Sequence, residues 1–312
     1  MKNKLFLFGV LVGLTGCLFA QRGPGGASVD TSWIKTKYTD VAYAAKSDAE
    51  KLDIYLPNEG TGPFPLIIEI HGGAFMMGSK SEQIAPMMEG LKRGYAVASI
   101  NYRMSGEAPF PAAVNDVKAA IRFLRANAAK YKLNPLKFAT WGGSAGGNLS
   151  AIAGTSGGVA ALADPSLGNT DVSDSVQAAV DWYGPIWFST MNSEFKALGQ
   201  TPVMGVTSAA TSPESKYIGK TVGNAGSESL VAQASPQNYI DAKDPPFYIQ
   251  HGTADRNIPI TQSKNFASKL ASAIGADKVT LEILEGAGHG GSQFEDGANV
   301  KKIIDFLDKY LK

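Results

Sequence analysis

The 312-residue chain has one cysteine, Cys17, and three histidines, His71, His251 and His289. A single cysteine excludes an intrachain disulfide, and its position within the first twenty residues leaves the rest of the chain without a thiol nucleophile. Three scattered histidines and no cysteine cluster offer no ligand spacing typical of zinc, so no metal is expected. An excess of either charge is also missing, with 29 Lys and Arg against 28 Asp and Glu. No basic field is available to gather nucleic acid or an anionic membrane. The glycine-rich stretches around Gly72 and Gly142 lack the G-x-x-x-x-G-K-[ST] pattern, and G-x-G-x-x-G with its downstream ribose acid, that nucleotide cradles require. No cofactor is expected. What is present is ordinary globular composition, 44% hydrophobic and 18% charged, enough for one large α/β domain acting on a neutral substrate.

Residues 1–20 read as an export signal. Lys2 and Lys4 form a short basic region, and Leu5 to Leu14 form an apolar stretch too short to span a bilayer stably. Two exits are written into it. Leu14-Thr15-Gly16-Cys17 resembles a lipobox, which would lipidate Cys17 and anchor the chain at the cell surface. Ala20-Gln21 would instead suit a conventional signal peptidase and give a secreted or periplasmic protein. Gln21 to Ala27, rich in Gly and Pro, reads as a flexible tether within an extension over residues 21–39. Residues 40–312 then form the catalytic domain.

Two β-patterned stretches, Val41 to Ala44 and Leu52 to Leu56, are separated by polar and turn residues, as in an antiparallel edge hairpin. Beyond them come short apolar runs at Phe64 to Ile70, Ala96 to Ile100, Phe138 to Trp141, Ala178 to Trp182 and Phe247 to Ile249, with Val279 to Leu284 alternating more. Such runs suit strands buried on both faces. Helical periodicity lies between them over Pro111 to Ala129, Thr261 to Ile274 and Val300 to Leu311. Alternating strands and helices imply a mostly parallel sheet. Ile186 to Gln233, rich in Ser, Thr, Ala and Gly, breaks the alternation. It reads as a cap-like insertion over the active-site end of the sheet, mobile because it has little apolar area to anchor it.

The chemistry is concentrated in four places. Strand Phe138 to Trp141 runs into Gly142-Gly143-Ser144-Ala145-Gly146-Gly147 and then a helix, the setting in which G-x-S-x-G lifts a nucleophilic serine clear of a sheet. Upstream, Phe64 to Ile70 ends in His71-Gly72-Gly73-Ala74-Phe75. Small residues there leave backbone N–H groups free for a tetrahedral oxyanion, and the expected donors are Gly73, Ala74 and Ala145. For the base, chain order after the serine selects His289, in Gly288-His289-Gly290. His71 reads as a loop-fixing residue and His251 as a structural histidine at a strand end. For the acid, the loop after Phe247 to Ile249 points to Asp255, because Asp241 and Asp244 precede that strand and fall at its wrong end. Phe75, Trp182 and Trp187 are candidates for an apolar acyl pocket, with core packing the alternative for each.

These motifs, with Lys51-Leu52-Asp53-Ile54-Tyr55, Asn101-Tyr102-Arg103, Pro109-Phe110-Pro111, Asp181-Trp182-Tyr183-Gly184-Pro185 and Ser212-Pro213-Glu214-Ser215, resemble the hormone-sensitive-lipase-like esterases. They are closest to the secreted bacterial feruloyl and acetylxylan esterase-like branch. The resemblance implies an α/β-hydrolase fold with helices on both faces of the sheet. It also implies a cofactor-free serine carboxylesterase removing small acyl or hydroxycinnamoyl groups from plant polysaccharide. The expected partner is that ester, small-molecule or polymeric. Many relatives carry an acid where this chain has Gly143. Two other readings stand beside it: a prolyl-oligopeptidase-like serine peptidase, which shares the triad logic, and a non-catalytic surface binding protein on a hydrolase scaffold. Gly143, Ala145 and the chain length weigh against the first, and the intact Ser144, Asp255 and His289 against the second.

Overall fold

A computed structural model describes residues 29–312. The export signal with both its exits, and the tether Gln21 to Ala27, lie outside the described residues. Eight strands build one sheet: β1 (Lys37–Ala42), β2 (Lys51–Tyr55), β3 (Phe64–Ile70), β4 (Ala96–Ile100), β5 (Leu133–Gly143), β6 (Ala178–Trp182), β7 (Phe247–Gly252) and β8 (Val279–Leu284). Their spatial order is β1-β2-β4-β3-β5-β6-β7-β8. β1 and β2 are antiparallel to their neighbours, and all later pairs are parallel. This is the α/β-hydrolase architecture.

Helices cover both faces: α1 (Ala85–Lys92), α2 (Ala112–Ala126), α3 (Ala145–Thr155), α4 (Met191–Ala197), α5 (Pro213–Ile218), α6 (Glu228–Gln233), α7 (Thr261–Ile274), α8 (Ser292–Glu295) and α9 (Gly297–Leu311). Strand residues alternate between the faces, as a period of two requires. Leu66, Ile68 and Ile70 pack with Val114, Val117 and Ile121 of α2 and with Leu149 and Ile152 of α3. Ile67, Val97, Trp141 and Val180 face the other way, onto Met87 and Leu91 of α1 and Ile303, Ile304 and Leu307 of α9. On the α2–α3 side, Phe247 and Ile249 continue the core against Phe266 and Leu270 of α7. No helix among the described residues is long and apolar enough to cross a membrane.

Most strand runs lie where the apolar pattern puts them, although β5 begins at Leu133, earlier than its apolar segment, and β1 covers Lys37–Ala42 instead of Val41 to Ala44, its exposed residues carrying little apolar signal. Helix α1 has no counterpart in the sequence reading. Its eight residues include Pro86 and Gly90, which mask the helical period. The insertion also differs from the expected mobile cover. Phe188, Met191, Tyr217, Ile218, Val222 and Val231 are all buried in the α2–α3 core, so its sparse apolar residues anchor it. Within the insertion, the stretch between α4 and α5 leaves large apolar side chains in solvent, at Leu198, Val203, Met204 and Val206.

Candidate active site

Ser144 stands at the junction of β5 and α3 with φ 58° and ψ −121°. A non-glycine residue in this region is strained and persists only when its surroundings hold it. Here the chain is gripped from several sides. The Ser144 N–H donates to Trp182 O at 2.9 Å. A Cβ on Gly146 would fall 1.9 Å from Ile70 O, and one on Gly142 would fall 2.3 Å from Gly146 O. The glycines are there because β3, β5 and α3 approach too closely for any side chain.

Around the serine the structure brings three predicted residues into one hydrogen-bonded line. His289 Nε2 lies 2.8 Å from Ser144 Oγ, and His289 Nδ1 lies 2.8 Å from Asp255 Oδ2. Asp255 is buried. Its Oδ1 accepts from the N–H groups of Asn257 at 2.8 Å and Ile258 at 3.0 Å. Its Oδ2 is shared with a second imidazole, His251 Nε2, at 3.2 Å. Burial alone would raise this carboxyl, but the hydrogen bonds from His251 and His289 outweigh it and hold it well below the usual carboxylate range. His251 is in turn fixed by Ser263 Oγ at 2.7 Å from its Nδ1.

The loop after β3 carries three consecutive positive φ values: Gly73 at 109°, Ala74 at 57° and Phe75 at 59°. This winding turns Gly73 O inward to accept from Met76 N at 2.9 Å and Met77 N at 3.0 Å. Ala74 and Ala145 line the same pocket as Ser144 and His289. His71 is fully buried, and its Nδ1–H donates to Gly72 O at 2.7 Å. Its ring stacks on Tyr102 with centroids 4.4 Å apart, and Tyr102 Oη donates to His71 O at 2.9 Å. Burial lowers its pKa to about 4, so the ring is neutral and rigid. Next to Tyr102, the Arg103 guanidinium clasps Asp116 of α2, with Nη2 to Oδ1 at 2.6 Å and Nε to Oδ2 at 2.9 Å. The Asn101-Tyr102-Arg103 stretch thus braces the loop from the end of β4.

Of the three candidate pocket residues, only Phe75 reaches the pocket beside Ser144. Trp182 points to the opposite side of its strand, with Val180, and packs edge-on against Trp141 at 5.1 Å and Phe294 at 5.5 Å. Trp187 opens onto a separate surface cavity, because the Gln262 side-chain carbonyl captures the N–H groups of Ile186 at 2.9 Å and Trp187 at 2.6 Å. The remaining wall comes from residues not anticipated in the sequence: Met191 and Phe195 of α4, Met204, Thr207, Glu214 and Ile258. Met191 and Phe195 are one helical turn apart, but α4 is only seven residues long, too short for its period to stand out, and Met204 and Thr207 lie outside any helix. Glu214 lies in Ser212-Pro213-Glu214-Ser215, a stretch marked by the resemblance but given no role by it.

Tyr183 is a further neighbour. Its ring lies 4.7 Å from His289 and 4.6 Å from Phe294, and a Cβ on Gly143 would meet its Oη at 2.9 Å. The space a side chain at position 143 would need is filled by the tyrosine that backs His289.

Comparison with known proteins finds esterases among those similar to this chain. Esterase LipQ of Mycobacterium tuberculosis is 33% identical over 278 residues, 86% of this chain and 61% of that protein. The chain therefore spans less than two thirds of that relative. Among solved structures, a truncated form of a carbohydrate esterase from gut microbiota is 34% identical with a TM-score of 0.77, covering 91% of this chain and 99% of that one. A bifunctional GH43-CE of Bacteroides eggerthii is 35% identical with a TM-score of 0.77, over 88% of this chain and 35% of that one. A family model described as BD-FAE matches residues 52–270, and the chain belongs to that family.

Proposed function

We propose that the chain is a serine carboxylesterase that removes small acyl groups, acetyl first among them, from carbohydrate hydroxyls. The observation that carries this reading is the Asp255–His289–Ser144 line, 2.8 Å at each step, at a pocket with little free space. In this reading His289 Nε2 takes the Ser144 proton as Oγ attacks the ester carbonyl. The N–H groups of Gly73, Ala74 and Ala145 receive the oxyanion. Asp255 keeps the imidazole in the tautomer with its proton on Nδ1 and stabilises the imidazolium without taking the proton. Collapse expels the alcohol, protonated by His289, and leaves an acyl-Ser144 ester that water cleaves by the reverse sequence.

The small volume of the pocket supports the choice of a small acyl group. The free space beside Ser144 is about 30 Å³, roughly the volume of one water molecule. Acetyl, the smallest of the candidate acyl groups, asks for the least displacement of the Met191, Phe195 and Met204 side chains around that space, and a hydroxycinnamoyl group asks for the most. The carbohydrate part of the reading draws on the carbohydrate esterase among the similar structures. Kinetics on acetyl, butyryl, octanoyl and feruloyl aryl esters, with acetylated xylan beside them, test it. The expected ranking places acetyl highest, with acetate released from the polymer. A preference for feruloyl or octanoyl esters would overturn the acyl assignment. We further propose export, with Cys17 lipidated or the chain cleaved after Ala20. Loss of membrane association in a Cys17→Ala chain would select the first exit.

A further inference from the structure

The wall of the pocket beside Ser144 is mostly apolar, built by Ala74, Phe75, Pro185, Met191, Phe195, Met204, Pro213 and Ile258. Thr207 and Asn257 add neutral polar groups, and Glu214 is the one carboxyl among the lining residues. It lines the same pocket as Ser144 and His289, it is only 7% exposed, and no cation contributes to its environment. Burial raises its carboxyl above the usual range, offset in part by its own N–H and the Ser212 hydroxyl. The first turn of α5 does not need it as a cap, because Ser212 Oγ already accepts from Ser215 N at 3.1 Å. A buried carboxyl without a cation costs stability, and a neutral side chain of the same size would avoid that cost. Stacking of Phe75 on Tyr217 at 3.8 Å, 10° from parallel, ties α5 to the loop after β3 and so fixes Glu214 relative to Ser144.

We propose that Glu214 is a specificity-determining residue whose carboxyl hydrogen-bonds a hydroxyl of the bound ester next to the scissile group, selecting carbohydrate esters over esters of simple alcohols. A pyranose acetylated at one carbon presents a hydroxyl on the adjacent carbon, a fixed short distance from the carbonyl under attack. A buried carboxyl in a largely apolar wall discriminates strongly, because a substrate without the hydroxyl leaves it unpaired. This inference rests on the carbohydrate-ester reading above.

The test compares kcat/KM for 4-nitrophenyl acetate with that for a mono-acetylated methyl xylopyranoside, in wild type, Glu214→Gln and Glu214→Asp. A hydrogen bond to a charged group predicts that the ratio of sugar ester to aryl ester falls about 10- to 100-fold in Glu214→Gln. A fall is also expected in Glu214→Asp, whose carboxyl is withdrawn by one methylene. A second measurement uses methyl xylopyranoside as a competitor of aryl-acetate hydrolysis, and its inhibition constant should rise by a similar factor in the variants. Equal losses on both substrates would assign Glu214 a structural role and overturn the inference alone. So would an unchanged ratio. If wild-type protein hydrolyses the aryl ester but not the sugar acetate, the carbohydrate reading itself falls and takes the inference with it.

Discussion

At the scale of single residues, the proposed chemistry makes a graded prediction. Ser144→Ala and His289→Ala should each lower kcat by at least about 10,000-fold, and the double variant should be little worse, since the triad acts as a unit. Asp255→Asn should fall by a comparable factor, because the amide favours the wrong histidine tautomer. Steady-state kinetics on 4-nitrophenyl acetate, with circular dichroism to check folding, measures all four. Ser144, His289 and Asp255 were legible in the sequence because each follows a strand end within a short motif, where chain order restricts the choice. Trp187 was not, since the direction of its ring depends on Gln262, 75 residues away. Gly143 gives a sharper residue-level test. Placing an acid there, as Gly143→Asp, should cost activity by pushing Tyr183 away from His289. In a Tyr183→Ala background the same substitution should cost much less, and a double-mutant cycle on kcat/KM reads that coupling. Additive effects would show that Tyr183 and position 143 do not compete for space.

At the scale of elements, the strands declared themselves through apolar runs, and α7 through its period, because each buries a face against the sheet. The insertion did not. Its helices α4, α5 and α6 are six or seven residues long, too short to form alone, and they hold through tertiary contacts that composition does not reveal. Within the insertion, the loop between α4 and α5 is secured to the strand-β7 side by one residue next to the acid. Val203 N donates to Arg256 O at 2.9 Å, and Arg256 Nη2 donates to Thr201 O at 3.0 Å. Because Met204 follows directly and lines the pocket, Arg256→Ala should loosen that wall. The expected outcome is a severalfold gain of butyryl over acetyl ester in relative kcat/KM, with a melting temperature within a few degrees of wild type. A preserved acyl ranking would show that Arg256 does not hold the wall.

At the scale of the whole molecule, a buried acid imposes a pH dependence on stability. Asp181 at the end of β6 is fully buried, with Oδ1 accepting from Gly184 N at 2.9 Å and Oδ2 without a partner among the described residues. Burial, eased by the Gly184 N–H, raises its pKa to about 6. Between the ordinary aspartate value and about 6, the folded state therefore binds more protons than the unfolded chain, so this group makes stability fall as pH rises through that window. Asp181→Asn keeps an acceptor for Gly184 and removes the ionisation. Melting curves from pH 4 to 7 should show the variant losing less stability than wild type over that range, and parallel curves would contradict the assignment. The sheet order has another consequence, for how motion is distributed. β5, which delivers Ser144, lies between β3 and β6, with at least three strands on each side, whereas the Met204 wall hangs on a surface loop. Amide protons at the end of β5 should exchange with solvent only when the whole domain opens, while those around Met204 exchange through local excursions. Breathing of the loop can then admit larger groups for part of the time without disturbing Ser144, so evolution can retune what the pocket accepts separately from the serine it surrounds.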